Sequence, residues 1–337
     1  MRPSGVPDFC SAKAGVPYGV SMHWKLKAFV QNAVAWFPAG LSYPVYYRLQ
    51  RVFGRLRTVN PVRHFENCAG ILRRFRAQGC ETEGKVFLEV GTGRTVNVPL
   101  GFWLCGAGRV VTVDLNPYLR WELVRESIRY IREHRGEVEE LFSGVADSTT
   151  LRERLDAVLG LANIVRGDPA GRPYRDATAL DLPDGSVDFY YSSNVFEHVS
   201  PAIMRGILRE ARRVLAPGGL FLHRMDLSDH FSHTDPMISA VNFLRFDERE
   251  WRRLAGNRYM YHNRMRVYEY YSLFAEEGAT VLDVDELTDE RAAGLLAGGF
   301  AVDQRFSGRS PRELAVIYLT VTGRFGPHEA VSRQPAG

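Results

Sequence analysis

The stretch that most constrains this chain is residues 86–114, VFLEVGTGRTVNVPLGFWLCGAGRVVTVD. An apolar run, Val86-Phe87-Leu88, reaches Glu89, and a glycine turn, Gly91-Thr92-Gly93, follows. A second apolar run, from Arg109 to Val113, ends on Asp114. Short apolar runs bounded by turn residues read as buried strands, with a helix between them. The unit is strand, tight turn, helix, strand, with an acid at the second strand's tip. Glycines let the backbone approach a nucleotide-like ligand, and an acid about 20 residues past the turn accepts hydrogen bonds from two ribose hydroxyls. Asp114 stands 21 residues after Gly93. A glycine turn alone decides little, because a crossover without a ligand carries the same pattern.

The 337 residues suit one elaborated domain with additions. At 45% hydrophobic and 24% charged, an ordinary globular class is expected. The net charge of +4 is small, and only four of the 43 basic residues are lysines. With no dense basic run and no RNA-binding motif, no nucleic-acid partner is expected. Cys10, Cys68, Cys80 and Cys105 have neither CxxC pairing nor a histidine at zinc-finger spacing, so reduced thiols in the cytosol are expected. The sequence shows no membrane span and no basic-then-apolar leader, which leads to the expectation of a cytoplasmic protein.

Along the chain, 1–80 reads as a flexible leader and an N-terminal helical extension on the lid or substrate side. Within 24–37, Leu26, Phe29, Val30, Ala33, Val34 and Phe37 form one helical face. Packing of that face on the core, or over the active site, is the plainer expectation. Lys25 and Lys27 beside it permit a peripheral membrane contact. Tyr43, Tyr46 and Tyr47 precede arginine-rich helical text at 48–57 and are pocket-lining or packing candidates. After a break at Asn60-Pro61, 62–79 reads as a helix leading to the first strand. Residues 118–162 are too long for a plain connection and read as a helical insertion of two or three helices. Asp176 ends a short run, Pro183-Asp184-Gly185 is a turn, and Val187–Ser192 is a buried strand. Ser200-Pro201 starts a helix that Pro217-Gly218-Gly219 ends. A strand from Leu220 to His223 follows, then an irregular insertion over 226–266. Residues 267–277 read as helix, 280–286 as strand, 288–297 as helix and 314–321 as strand. The tail 326–337 reads as disordered. Alternating strands and helices indicate an α/β fold, a mostly parallel sheet with helices on both faces.

The motifs Glu89-Val90-Gly91-Thr92-Gly93, Asp114-Leu115-Asn116, Asp176-Ala177 with Leu182 to Asp188, Glu197-His198, and Arg213-Val214-Leu215-Ala216-Pro217-Gly218-Gly219 occur in that order. In this order they resemble the class I S-adenosylmethionine-dependent methyltransferases, bacterial small-molecule group, over about 86–225. The resemblance implies a Rossmann-like sheet of seven strands, the last antiparallel, in a methyltransferase domain over 81–325. It also implies S-adenosyl-L-methionine as cofactor and S-adenosyl-L-homocysteine as product. Carried over, Glu89 and the Gly91-Thr92-Gly93 turn hold the methionine end and approach the ribose. Asp114, with Leu115 beside it, takes the ribose hydroxyls. Asp176 faces the adenine amino group beside Ala177, and Asn194 lines the methionine or substrate side. The chain departs from the pattern at Thr95, where a third glycine often stands. A sulfonium needs no phosphate cradle, and a carboxylate-rich pocket suits it. A nicotinamide enzyme would want a glycine where Val96 stands.

Methyl transfer is expected beyond the strands' carboxyl ends. There His230 or His233 is the candidate general base, with Asp226 or Asp229 orienting it. A metal at this cluster and a polar loop that caps its own backbone are the competing readings, and no metal ligands are assigned. Residues 257–266 alternate like a strand, and Arg258 or Arg264 there is a candidate anion holder, or else a solvated arginine face. The acceptor expected is a sugar-like, lipid-linked or secondary-metabolite hydroxyl. The alternatives are N-methylation, a non-catalytic binding or regulatory protein on the same fold, and other chemistry with the same cofactor.

Overall fold

A computed structural model describes residues 22–52, 56–116, 118–161 and 176–326. The leader expected over 1–21 lies outside them, as do the run leading to Asp176 and nearly all of the tail. Among the described residues the sheet has six strands: β1 (Val86–Val90), β2 (Arg109–Val113), β3 (Val187–Ser193), β4 (Leu215–Asp226), β5 (Ala279–Thr288) and β6 (Val316–Phe325). Their order is β2-β1-β3-β4-β6-β5. β2, β1, β3 and β4 are mutually parallel, and β6 runs antiparallel to both β4 and β5. The expected antiparallel last strand is therefore present, in a sheet of six described strands where seven were expected.

Strands covered on both faces are apolar at most positions, which is why 86–90 and 187–191 read as near-continuous runs broken only by Glu89 and Asp188. Phe87, Phe189, Tyr191, Leu220 and Leu222 join one core with helix α3 (Val62–Ala77), helix α4 (Asn97–Leu104) and the helices α5 (Trp121–Glu133), α6 (Arg135–Phe142) and α7 (Ser148–Leu161). The 118–162 insertion is thus three helices covering that face. Leu88, Val90, Tyr190, Phe221 and Met225 point the other way, against helix α8 (Pro201–Val214) and helix α10 (Val267–Glu276). α8 opens as its sequence predicts: the Ser200 side chain accepts from the Ile203 N–H and Pro201 follows in the first turn. Pro217-Gly218-Gly219 does not end that helix. It lies inside β4, where the pairing slips between Val187–Leu215 and Phe189–Leu220. The slip is a bulge, and Gly218 takes φ +82° within it.

A third core caps the end of the sheet. Trp24 and Ala28 of helix α1 (Trp24–Ala35) pack with Phe231, Phe243 and Leu244, and with Trp251 of helix α9 (Glu248–Ala255). Helix α11 (Glu290–Ala297) and the short helix α12 (Pro311–Leu314) complete this layer. Helix α2 (Ala39–Val52) begins nine residues before the arginine-rich text and carries Pro44 inside it. Residues 257–266 form no strand, contrary to the period-2 alternation. Two fully buried arginines account for that stretch. Arg264, at φ +57°, donates to the Phe243 and Phe246 carbonyls and to Glu248, so it is neither an anion holder nor a solvated face. Arg266 donates to the carbonyls of Leu227 (2.6 Å), Leu314 (2.7 Å) and Val316. It ties the loop after β4 to the start of β6.

Leaving buried carbonyls unpaired costs about 1–3 kcal/mol each. Arg266→Met should therefore lower the unfolding free energy by about 3 kcal/mol or more in urea denaturation. A loss below about 1 kcal/mol would show that this tie does not hold the layer in place.

Candidate active site

The glycine turn leaves β1 and is closed by the acid after β2. Gly91 and Thr92 N–H donate to the Val113 carbonyl at 2.8 and 3.2 Å. The Gly93 N–H donates to Asp114 Oδ2 at 2.9 Å, and the Asn116 N–H to Asp114 Oδ1 at 2.9 Å. Gly91 has φ +94°, and a Cβ there would fall 2.4 Å from Val195 Cγ2. Only glycine satisfies both demands. Each Asp114 oxygen keeps a lone pair for a ligand hydroxyl. Leu115 is exposed beside it.

Glu89 is buried at the heart of this half and accepts from Thr112 Oγ1 at 2.7 Å. Burial pushes its carboxyl up to about 8, against the Thr112 hydrogen bond and with help from the Asp114 charge. Burial also raises Asp114, opposed by the backbone N–H groups that it accepts. Two carboxyls held this way favour a cationic ligand, whose charge would relieve both. Asn194 follows β3 with φ +56°, a region Asn tolerates, and its N–H donates to the Arg224 carbonyl at 2.9 Å. Asp176 is exposed, and its Oδ1 accepts from the Thr178 N–H and hydroxyl, both at 2.8 Å. Ala177 packs against the α8 core.

Sequence reasoning named the tyrosines of α2 without placing them. Tyr43 donates to Asn116 Oδ1 at 3.0 Å, next to Asp114. Arg94, in the glycine turn, lies 5.3 Å from the ring centroids of both Tyr47 and Tyr118. α2 thus closes over the tip of β2.

The second half gathers at the end of β4. Asp226 Oδ1 accepts the Ser228 N–H (2.9 Å) and hydroxyl (2.5 Å), and Oδ2 accepts the Tyr318 hydroxyl (3.0 Å). His230 Nε2 and His233 Nε2 each stand 3.6 Å from the same Oδ2. Burial pushes the Asp226 carboxyl up, but the imidazoles of His230 and His233 and the Ser228 hydroxyl outweigh it and hold it well below the usual range. Of the two candidate carboxylates, Asp226 is the one that both histidines face. Asp229 caps its own turn, accepting from the Phe231 N–H, and burial raises it to about 6.

Two further histidines complete the cluster. His262 Nδ1 accepts from the Arg264 N–H, so its Nε2 carries the proton and donates to the Asp226 carbonyl at 3.2 Å. His198 Nδ1 donates to the Tyr261 carbonyl at 2.8 Å, and its ring centroid lies 5.0 Å from that of His230. Burial and then the charge of His230 push His198 down. Glu197, fully buried, accepts from the Asp226 N–H at 3.3 Å; burial and the Asp226 charge push it well up. Among the described residues, Asp226-His230-His233 and Glu197-His198-His230 each bring three ligand atoms within 4.8 Å, close enough to converge on a cation. Arg258, the other anion-holding candidate, donates to the Ala35 carbonyl instead.

Three inter-strand steps separate β2 from β4, so Asp114 and Asp226 stand roughly 14 Å apart along the carboxyl edge.

Residues 169–223 match the family model for a methyltransferase domain. Among solved structures, the chain is similar to an S-adenosylmethionine-dependent methyltransferase from Mesorhizobium loti, at 19% identity, over 75% of this chain and 96% of that one, with a TM-score of 0.36. It is also similar to a geranyl diphosphate methyltransferase bound to its diphosphate and sinefungin, at 15% identity, over 77% of each chain, with a TM-score of 0.43. A third likeness is to phosphoethanolamine N-methyltransferase 2 of Haemonchus contortus, at 14% identity and a TM-score of 0.41. It covers 77% of this chain but only 52% of that one. No curated protein sequence matches the chain. The matched segment covers about a sixth of the chain, and with the motif order and a parallel sheet ending in an antiparallel strand it makes this α/β fold similar to that of the class I S-adenosylmethionine-dependent methyltransferases.

Proposed function

We propose that this protein transfers a methyl group from S-adenosyl-L-methionine to a hydroxyl of a small-molecule acceptor. The observation that carries the proposal is the Asp226–His230–His233 cluster at the end of β4, on the same edge as the Asp114-closed turn. When bound, S-adenosyl-L-methionine would supply a methyl group on a sulfonium, with S-adenosyl-L-homocysteine as the leaving group.

The chain's own residues supply the rest. Asp114 binds the ribose hydroxyls. Glu89, as the carboxylate, compensates the ligand's positive charge. The buried carboxylate of Asp226 steadies an imidazolium. His230, as general base, takes the acceptor's proton as the new O–C bond forms and the S–C bond breaks. The O-methyl reading rests on this base, since a neutral amine acceptor would need less help. A second reading has a specific observation behind it. Asp226, His230 and His233 could hold a divalent cation that lowers the acceptor's pKa.

His230→Gln should cut transfer of labelled methyl from S-adenosylmethionine to extracted small molecules about a hundredfold while leaving cofactor affinity intact. Unchanged turnover would remove His230 from the reaction. Loss of wild-type activity on chelation, restored by a divalent ion, would favour the metal reading.

The Glu89 carboxyl gives a test that needs no acceptor. Its value of about 8 in the fold stands above the ordinary 4.5. The folded state therefore keeps a proton that the unfolded chain releases. That contribution is complete below the ordinary value and is lost as pH rises through about 8. The ligand-free melting temperature should fall between pH 6 and 9, and Glu89→Gln should flatten part of the fall. An identical slope in the variant would contradict the assignment.

A further inference from the structure

The expected apolar face of α1 is turned outward. Its buried residues are Trp24, Ala28 and Gln31, while Leu26, Phe29 and Phe37 are exposed and Trp36 is 93% exposed. Leu26, Phe29, Ala33 and Trp36 follow helical spacing, so they form one continuous outer stripe. α2 repeats the arrangement: Leu41, Val45, Arg48 and Val52 are exposed at spacings of four, three and four. The two helices pack together, and the Trp36-Phe37-Pro38 turn joins them. Contiguous exposed apolar surface on this scale marks an interaction site.

Charge decides what covers it. From Phe9 to Phe65 the sequence holds eight Lys or Arg and no Asp or Glu. Lys25, Arg48 and Arg57 are exposed on or beside the hairpin. A two-fold contact with a second copy would set this basic face against itself. An anionic lipid surface complements it, with tryptophan at headgroup depth and apolar side chains just below. Among the described residues no helix is long and apolar enough to cross a membrane, so the hairpin would lie on the bilayer.

We infer that the α1–α2 hairpin docks this protein on an anionic membrane surface through Leu26, Phe29, Trp36, Phe37, Leu41 and Val45. The inner side of the hairpin touches both halves of the site: Lys27 Nζ donates to the His230 carbonyl at 2.8 Å, and Tyr43 donates to Asn116. Docking therefore sets the site at the lipid interface. If the proposed methyl transfer holds, the acceptor class is an amphiphile that reaches the histidines from the bilayer.

The test is co-sedimentation of the full chain with vesicles of phosphatidylcholine, alone or with about 30 mol% phosphatidylglycerol, at low and high salt. The wild type should bind the anionic vesicles, and salt should weaken binding. Trp36→Ser/Phe37→Ser/Leu41→Ser alters only exposed side chains; it should bind at least tenfold more weakly while keeping its melting temperature and S-adenosylhomocysteine affinity. Absence of wild-type binding, equal binding to neutral vesicles, or unchanged binding by the triple variant would overturn the proposal. So would a wild-type dimer in sedimentation velocity that the triple variant converts to monomer without any vesicle binding, since the face would then belong to a second copy. Turnover enters none of these readouts, so failure here leaves the methyltransferase reading standing, and the reverse.

Discussion

The carboxylate of Asp226 is the interaction on which the proposed acceptor side of this molecule depends. It is buried at the end of β4, where an unpaired charge would be costly. The surroundings satisfy it. Ser228 donates twice to Oδ1, Tyr318 reaches across from β6 to Oδ2, and two imidazoles face that same Oδ2. The same demand orders the insertion after β4, because its first turn must bring Ser228, His230 and His233 back over the strand that ends in Asp226. Arg266 then fixes where that loop leaves, by binding the Leu227 carbonyl. The charge that we propose serves the chemistry thus also determines the local fold.

The proposed cofactor side depends instead on the backbone. The turn after β1 gives its N–H groups to Val113 and to Asp114, so its shape is set by the neighbouring strand rather than by side-chain packing. Gly91 is needed because Val195 crowds its α-carbon. The two carboxyls beside it are held above their ordinary ionisation range. A site in that state is poised for a cation. That distinguishes it from the phosphate-binding version of the same turn, where acids would be misplaced.

Much of this was legible in the sequence, for physical reasons. Strands covered on both faces leave continuous apolar runs, and β1, β2, β3 and the last strand could be read from them. Asp226 and His230 were legible as an acid and a histidine four residues on, in the loop directly after a strand. Other features depend on contacts far apart in sequence. The alternation at 257–266 reflects Arg264 and Arg266 reaching carbonyls up to 50 residues away, not a strand. Pro217-Gly218-Gly219 reads as a helix stop but is a strand bulge, since the same residues serve both. His198 and His262 join the cluster only through tertiary packing. Periodicity found the stripe on α1 yet could not say which side the core would take, and the core took the side bearing Gln31.

The most direct measurement is a crystal structure of the protein with S-adenosyl-L-homocysteine. The account predicts the ribose hydroxyls on Asp114, the amino acid end at the Glu89–Gly93 turn, and the thioether sulfur facing the Asp226–His230 cluster. A ligand bound elsewhere, or seated with its sulfur turned away from those histidines, would contradict it.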